Sequence, residues 1–287
     1  MYGGPIKDRQ PAPHVHDLDE LREIAQELRR QVIRMVARTG QGYVQQGLGA
    51  ADLFAALYFS ELRLDPADPT GPDRDRFLLS TANNTAIFYA TLAARGCIPD
   101  SLLATYTQDG SALEINASER LGPVVEATCG SLGQGLSVAV GMALSARRRE
   151  RDCRVYVILG DGEMQEGQVW EAAMAAGSHK LSNLCLILDY NKMQVAGHVD
   201  NVVDMNPIAE KWTSFGFRVD AIDGNDMAAI SAALGRARGY EKGPTCIIAE
   251  TLVGKGAPSL EGVLGHTMRL PPELARRALA ELSGEQP

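Results

Sequence analysis

From Asp17 onward an apolar residue recurs every three to four positions: Leu18, Leu21, Ile24, Leu28, Val32, Met35 and Val36. That period puts them on one stripe of an α-helix. The acidic residues come early and the arginines late, as the helix dipole favours. Residues 40–49, rich in Gly and Gln, read as a loop, and a second helix is expected over 50–62. The Pro- and Asp-rich stretch 64–75 reads as a surface loop, 76–80 as a short buried strand and 84–95 as a helix. The second half alternates more plainly. Apolar runs at 155–160, 184–190, 217–222 and 245–251 are separated by helical patterns at 166–178 and 225–239. Strands that are apolar throughout and alternate with helices predict an α/β fold: a doubly wound, mostly parallel sheet with helices on both faces.

No internal repeat and no linker divides the chain. The expected organisation is a loose arm over 1–17, one domain over 18–270, and a short amphipathic helix with a frayed tail over 271–287. His14 and His16, in the Pro/Gly-rich arm, read as incidental rather than as metal ligands.

Composition removes several function classes. With 287 residues, 45% of them hydrophobic, the chain can bury a core without disulfides or a structural metal. A net charge of −8 argues against a nucleic-acid binder. Arginine outnumbers lysine 22 to 6, which reads as codon bias. No run of eighteen apolar residues predicts a membrane span, and the first residues lack the apolar core of a signal peptide. Cysteines 97, 129, 153, 185 and 246 are scattered, without a CxxC pair. The expectation is a reducing, cytoplasmic location, with neither nucleic acid nor membrane as partner.

The chemistry concentrates at two strand ends, where ligands bind in a doubly wound sheet. The run VYVILG ends in Gly160-Asp161-Gly162, and LCLILDY ends in Asn191-Lys192-Met193. The glycines permit close backbone approach, and the following helix offers free N–H groups to a phosphate. Asp161 and Asn191 are one strand–helix–strand unit apart and are expected to face each other across adjacent strand tips. A carboxylate, an amide oxygen and a backbone carbonyl make a hard-oxygen donor set, suited to Mg²⁺ or Ca²⁺ bridging a diphosphate. No GxGxxG stands at the strand end, which argues against a nicotinamide-binding fold.

The wider segment GDGEMQEGQVWEAAMAAGSHKLSNLCLILDYNKMQVAG closely resembles the transketolase family. So do CGSLGQGLSVAVGMAL (129–144), DRFLLS (75–80) and LVGKGAPSLEG (252–262), and the resemblance spans residues 18–270. It implies thiamine diphosphate as cofactor and a thiamine-diphosphate-binding fold, here the pyrophosphate-binding domain alone. The family's pyrimidine-binding domain and its cofactor-activating glutamate would then come from a C-terminal transketolase subunit, with the active site between the chains of an α2β2 heterotetramer. Residue by residue, the resemblance makes Asp161, Asn191 and the Met193 carbonyl the metal ligands. Gly160, Gly162 and Glu163 fall at the diphosphate, and Gly130 and Leu132 at the aminopyrimidine. Glu166 matches the glutamate that reaches toward the partner's catalytic glutamate. Cys129, where the family has Thr or Ser, reads as a packing residue.

The departures are in the substrate machinery. Where the family places histidines, this chain has Tyr43 (in Gln41–Gln45), Asn83 (in Ser80–Asn84) and Asn116 (in Ile115–Ala117). One match survives, His266 in VLGHTM, which joins Glu166 as a candidate catalytic residue. Histidine moves protons near neutral pH, whereas asparagine does not titrate and tyrosine titrates near 10. The implied activity is transfer of a two-carbon ketol unit from a ketose or ketose-phosphate donor. One alternative passes that unit to a lipoyl or carrier-protein thiol, as the pyruvate dehydrogenase first component does. Another is a cofactor-binding subunit without catalysis.

Overall fold

The chain's architecture, in a computed structural model, is described for residues 14–262 and 269–284. Helix α1 (Leu18–Thr39) starts at Asp17, whose carboxylate accepts the N–H groups of Asp19 and Glu20. It stops at Gly40, which adopts a left-handed φ of 69°. Helix α2 (Gln45–Ala56) runs into a π-helical turn over Leu57–Glu61. It begins inside the Gly/Gln-rich stretch expected to be a loop. All of its residues are buried, so packing outweighs the weak helix propensity of glycine. At Gly49 a Cβ would lie 2.9 Å from the Leu252 carbonyl oxygen, so the glycine sets how closely α2 meets that loop.

Strand β1 (Arg76–Leu79), α3 (Thr85–Ala94) and α4 (Gln134–Arg148) follow. Then come β2 (Val155–Gly160), α5 (Gly167–Ser178) and β3 (Leu184–Tyr190). A two-residue hairpin, β4 (Met193–Gln194) with β5 (Gly197–His198), leads into α6 (Val199–Val202) and α7 (Ile208–Ser214). The chain closes with β6 (Arg218–Asp223), α8 (Met227–Arg238), β7 (Thr245–Glu250) and α9 (Pro272–Ser283).

The five-stranded sheet is parallel throughout, in the order β1-β2-β3-β7-β6. Its side chains alternate between two separate cores, as a pleated strand buried on both faces requires. Tyr156, Ile158, Ile187 and Ile247 pack under α1, α2, α3 and α8. Val157, Leu159, Leu186 and Leu188 pack under α4, α5 and α7. The predicted α/β class, with helices on both faces, is therefore the observed one.

One buried ion pair ties the first core to the loops above the sheet. Arg29 of α1 donates to Asp52 of α2 at 2.5 and 3.3 Å and to the Leu48 carbonyl at 3.0 Å. Asn225 donates to the same Asp52 at 2.9 Å and accepts the Leu252 N–H at 2.8 Å. Of the arm expected to be loose, the part described is docked. Val15 is buried and its N–H reaches the Phe59 carbonyl at 2.7 Å. His14 bonds the Ser60 carbonyl, while His16 is exposed. No helix among the described residues is long and apolar enough to cross a membrane, and all five cysteines are unpaired and buried.

Replacing Asp52 by alanine leaves the Arg29 guanidinium buried without its carboxylate and strips Asn225 of an acceptor. The expected cost is about 3–5 kcal/mol. Thermal unfolding should show a midpoint several degrees lower for Asp52→Ala, and a smaller drop for Asp52→Asn.

Candidate active site

The strand register brings the two predicted turns together. Gly160 pairs with Asp189 across β2 and β3, so Asp161 and Asn191 leave adjacent strand ends. Asp161 is buried. Its Oδ2 accepts the Lys192 N–H at 2.5 Å and its Oδ1 the Gly162 N–H at 2.7 Å. Lys192 reaches that position through a left-handed φ of 63°, uncommon for a side-chain-bearing residue. The Asn191 Oδ1 accepts the Met193 N–H at 3.0 Å, which closes the second turn. The hairpin β4–β5 then lies against the first turn: a Cβ on Gly162 would meet Gln194 Oε1 at 3.0 Å.

Asp189, at the end of β3, is a second buried carboxylate. It accepts Thr251 Oγ1 at 2.5 Å and Asn84 Nδ2 at 2.9 Å, and Asn191 adds a further hydrogen bond. Burial raises the Asp189 pKa, and those donors pull it back. Burial, then the charge of Asp189, pushes Asp161 up to about 7, against the pull of the Lys192 and Gly162 N–H groups. Neither carboxylate has a salt-bridge partner among the described residues.

The donor set fits a hard divalent cation on these observations. Each Asp161 oxygen accepts one backbone bond and keeps a further lone pair. The Asn191 amide oxygen and the Met193 carbonyl lie on the turn that Asp161 holds, and a divalent charge would relieve two neighbouring buried carboxylates. Among the described residues no group of three or more His, Cys, Asp or Glu is placed to hold a metal, so the set depends on amide and carbonyl oxygens.

The glycine-rich segment before α4 lies beside Glu163 and Glu166. Leu132 is 42% exposed, a large apolar side chain presented outward. Gly130 stands beside Asn116, where a Cβ would lie 3.4 Å from Nδ2. Glu166 is exposed at the start of α5, and its Cβ would lie 2.8 Å from a Cβ on Gly133. Cys129 is buried, and its thiol is pushed up to about 11 by burial and by the charges of Glu163 and Glu119. That is the behaviour of a packing residue, not a nucleophile.

Glu163 is tied into the chain's own hydrogen-bond network. Its carboxylate is buried and faces three protein donors: the Ser80 hydroxyl, the Gly133 N–H at 2.7 Å and the Gly160 N–H at 3.2 Å. Burial raises its pKa, and these donors oppose the rise.

Asn83 lies in the 3₁₀ turn Ala82–Asn84 at the end of β1. Tyr43 lies between α1 and α2, half-buried beside Tyr106, and burial raises its pKa. A Cβ on the neighbouring Gly42 would lie 2.7 Å from the Tyr106 ring. The Tyr43 loop is pinned from the far end of the chain, by a β-bridge between Gln41 and Arg269 and by the Leu270 N–H on the Gly40 carbonyl. His266 lies outside the described residues.

A cleft of about 800 Å³ opens beside Asn191 and Met193 and runs over the ends of β7 and β6, past Thr251, Leu252 and Lys255. Three contributors to this region escape a reading of motifs. Asp189 sits inside an apolar run, Asn84 follows a motif position as a neighbour, and Asn225 sits in an ordinary turn. Only the buried charge in the strand LCLILDY marks the first of them in advance.

Comparison with known proteins agrees with this geometry. Residues 21–269 match the family described as "Transketolase, thiamine diphosphate binding domain". The chain is 39% identical over 267 residues to the 6-deoxy-6-sulfo-D-fructose transketolase subunit SqwG of Clostridium sp. (strain MSTE9), covering 93% of this chain and 97% of that one. It is 36% identical over 251 residues to an apulose-4-phosphate transketolase subunit of Actinobacillus succinogenes, covering 87% and 91%. The solved transketolase from Campylobacter jejuni superposes with a TM-score of 0.88 at 32% identity, over 94% of this chain and 43% of that one. The chain thus spans nearly the whole of the subunit-type relatives and under half of the solved enzyme. With a matching fold, strand-end turns and family motif, the chain belongs to the transketolase family, as its thiamine diphosphate-binding domain.

Proposed function

We propose that this chain is the N-terminal subunit of a two-chain, Mg²⁺- and thiamine-diphosphate-dependent enzyme that moves a two-carbon ketol unit from a ketose or ketose-phosphate donor. One observation carries the reading. The Asp161 carboxylate and the Asn191-Lys192-Met193 turn are joined through the Lys192 N–H at 2.5 Å, which ties the two strand-end turns together, the second of them lining the cleft. Thiamine diphosphate, when bound, supplies an electron sink for breaking a carbon–carbon bond next to a carbonyl. The chain's residues hold and orient it. Asp161, Asn191 and the Met193 carbonyl would hold the metal, Gly160 and Gly162 admit the diphosphate, and Gly130 and Leu132 form the opposite wall. Glu166, exposed at the start of α5, is available to a second chain.

That second chain would bring the pyrimidine-binding domain and the catalytic glutamate, in an α2β2 heterotetramer. The subunit names carried by the sulfofructose and apulose-phosphate relatives support a divided enzyme. The substrate side is where this chain differs. Tyr43, Asn83 and Asn116 present hydrogen-bonding groups that stay uncharged near neutral pH, in place of three histidines. This favours an acceptor specialised away from an ordinary aldose phosphate.

The test is to purify the chain with its native companion and supply Mg–thiamine diphosphate, a ketose phosphate and a panel of aldehyde and aldose acceptors that includes an aldose phosphate. Donor cleavage with a lengthened sugar is the expected result. Donor cleavage without that sugar, with a lipoyl- or carrier-bearing companion, would move the assignment to thiol acylation. Cofactor binding with no donor cleavage would leave a non-catalytic subunit.

Two variants sharpen the reading. Asp161→Ala removes the only carboxylate of the proposed metal set, so calorimetry of the complex should show Mg²⁺-dependent cofactor affinity falling by more than the roughly 10–100-fold typical of outer-shell changes. Unchanged affinity would refute the metal assignment. Tyr43→His with Asn83→His should raise turnover of ordinary sugar phosphates, by up to about 10²-fold for a restored acid–base group. No gain would place acceptor choice in the companion chain.

A further inference from the structure

Glu163 lies where the two walls of the proposed cofactor site meet. Its Oε1 accepts the Ser80 hydroxyl and, at 2.7 Å, the Gly133 N–H; its Oε2 accepts the Gly160 N–H at 3.2 Å. Ser80 passes the connection on, because its Oγ accepts the Gly135 N–H at 3.1 Å. One carboxylate therefore joins the end of β1, the end of β2 and the first turn of α4.

The contact is built at close quarters. A Cβ on Gly135 would lie 2.4 Å from the Ser80 side chain, and one on Gly133 would lie 2.8 Å from the Cβ of Glu166. Helix α4 has no side-chain cap of its own at Gly133, and its first N–H groups need acceptors. Glu163 supplies one directly and a second through Ser80, so it caps α4 from thirty residues away in sequence. A negative charge at that helix end is also favourable to the dipole.

We propose that Glu163 is a positioning residue that sets the metal and diphosphate turn (Gly160–Gly162) and the aminopyrimidine wall (Gly130–Leu132) in register with each other. This rests on the cofactor reading above. On that reading Gly160 begins the turn carrying Asp161, and Gly133 directly follows Leu132, so both halves of the cofactor site hang from the same carboxylate.

The experiment uses the complex with its native companion and two half-probes read by ligand-observed NMR: Mg–pyrophosphate for the turn and thiamine for the wall. Amide hydrogen exchange at Gly133, Gly135 and Gly160 and the thermal midpoint are measured in parallel. In Glu163→Gln, both probes should weaken by about 10–100-fold, the scale for loss of an outer-shell partner, and the three amides should exchange faster. In Ser80→Ala, which cuts the branch to Gly135 and leaves the carboxylate on Gly133 and Gly160, thiamine should weaken by less than in Glu163→Gln while Mg–pyrophosphate holds its affinity.

Unchanged affinity for both probes in a Glu163→Gln protein with faster amide exchange would overturn the proposal, leaving the carboxylate as packing alone. So would a loss confined to one probe. If Glu163→Gln does not fold, the split between probes in Ser80→Ala decides alone, and equal losses there would overturn it. Failure of the unaltered complex to bind Mg–thiamine diphosphate would instead strike the proposed function.

Discussion

A carboxylate taken out of water must be met by donors or a cation, or the fold bears the cost of a bare charge. Glu163 meets this constraint at the carboxyl end of the sheet with three donors from three separate segments. Asp189 meets it in the same way, with Thr251 from beyond β7 and Asn84 from before α3. Satisfying these two buried groups makes the loops after β1, β2, β3 and β7 converge. The loops of a doubly wound sheet could otherwise splay. Here they cannot move apart without exposing a charge that has lost its partners.

Asp161 is the exception that points to function. Its two oxygens hold backbone N–H groups, yet burial and Asp189 still push its pKa to about 7. A buried carboxylate left under electrostatic pressure beside a second one is a group that a divalent cation would stabilise. The scaffold below has no comparable tension. Its two apolar cores alternate cleanly across the sheet, and the Arg29–Asp52 pair is bidentate and extended by Asn225 to the Leu252 loop.

The division between retained and altered chemistry follows the same geography. On the proposed reading, the residues assigned to the metal and diphosphate, Asp161, Asn191, Gly160 and Gly162, are those the family resemblance keeps. On that reading the departures fall elsewhere: Tyr43 between α1 and α2, Asn83 after β1 and Asn116 beside Gly130. Cofactor binding needs a fixed oxygen geometry that tolerates little substitution. Substrate recognition, on that reading, would be shared with a companion chain and could change one loop at a time.

Much was legible in one dimension. Apolar runs separated by helical periods specify a parallel sheet covered on both faces, because only burial on both sides makes a strand apolar throughout. Asp161 and Asn191 could be paired in advance, because parallel strands joined by one helix place their ends side by side. Other features could not be read this way. Helix α2 starts within a Gly- and Gln-rich stretch because its surroundings bury every residue, a fact about neighbours far along the chain. The donors that Glu163 faces, Ser80, Gly133 and Gly160, come from segments that nothing in its local sequence announces. The sequence by itself determined the fold class and the strand ends that carry chemistry, since both follow from local period and spacing. Only the tertiary structure decided which donors each buried carboxylate meets, since those donors are brought to it by segments distant in sequence.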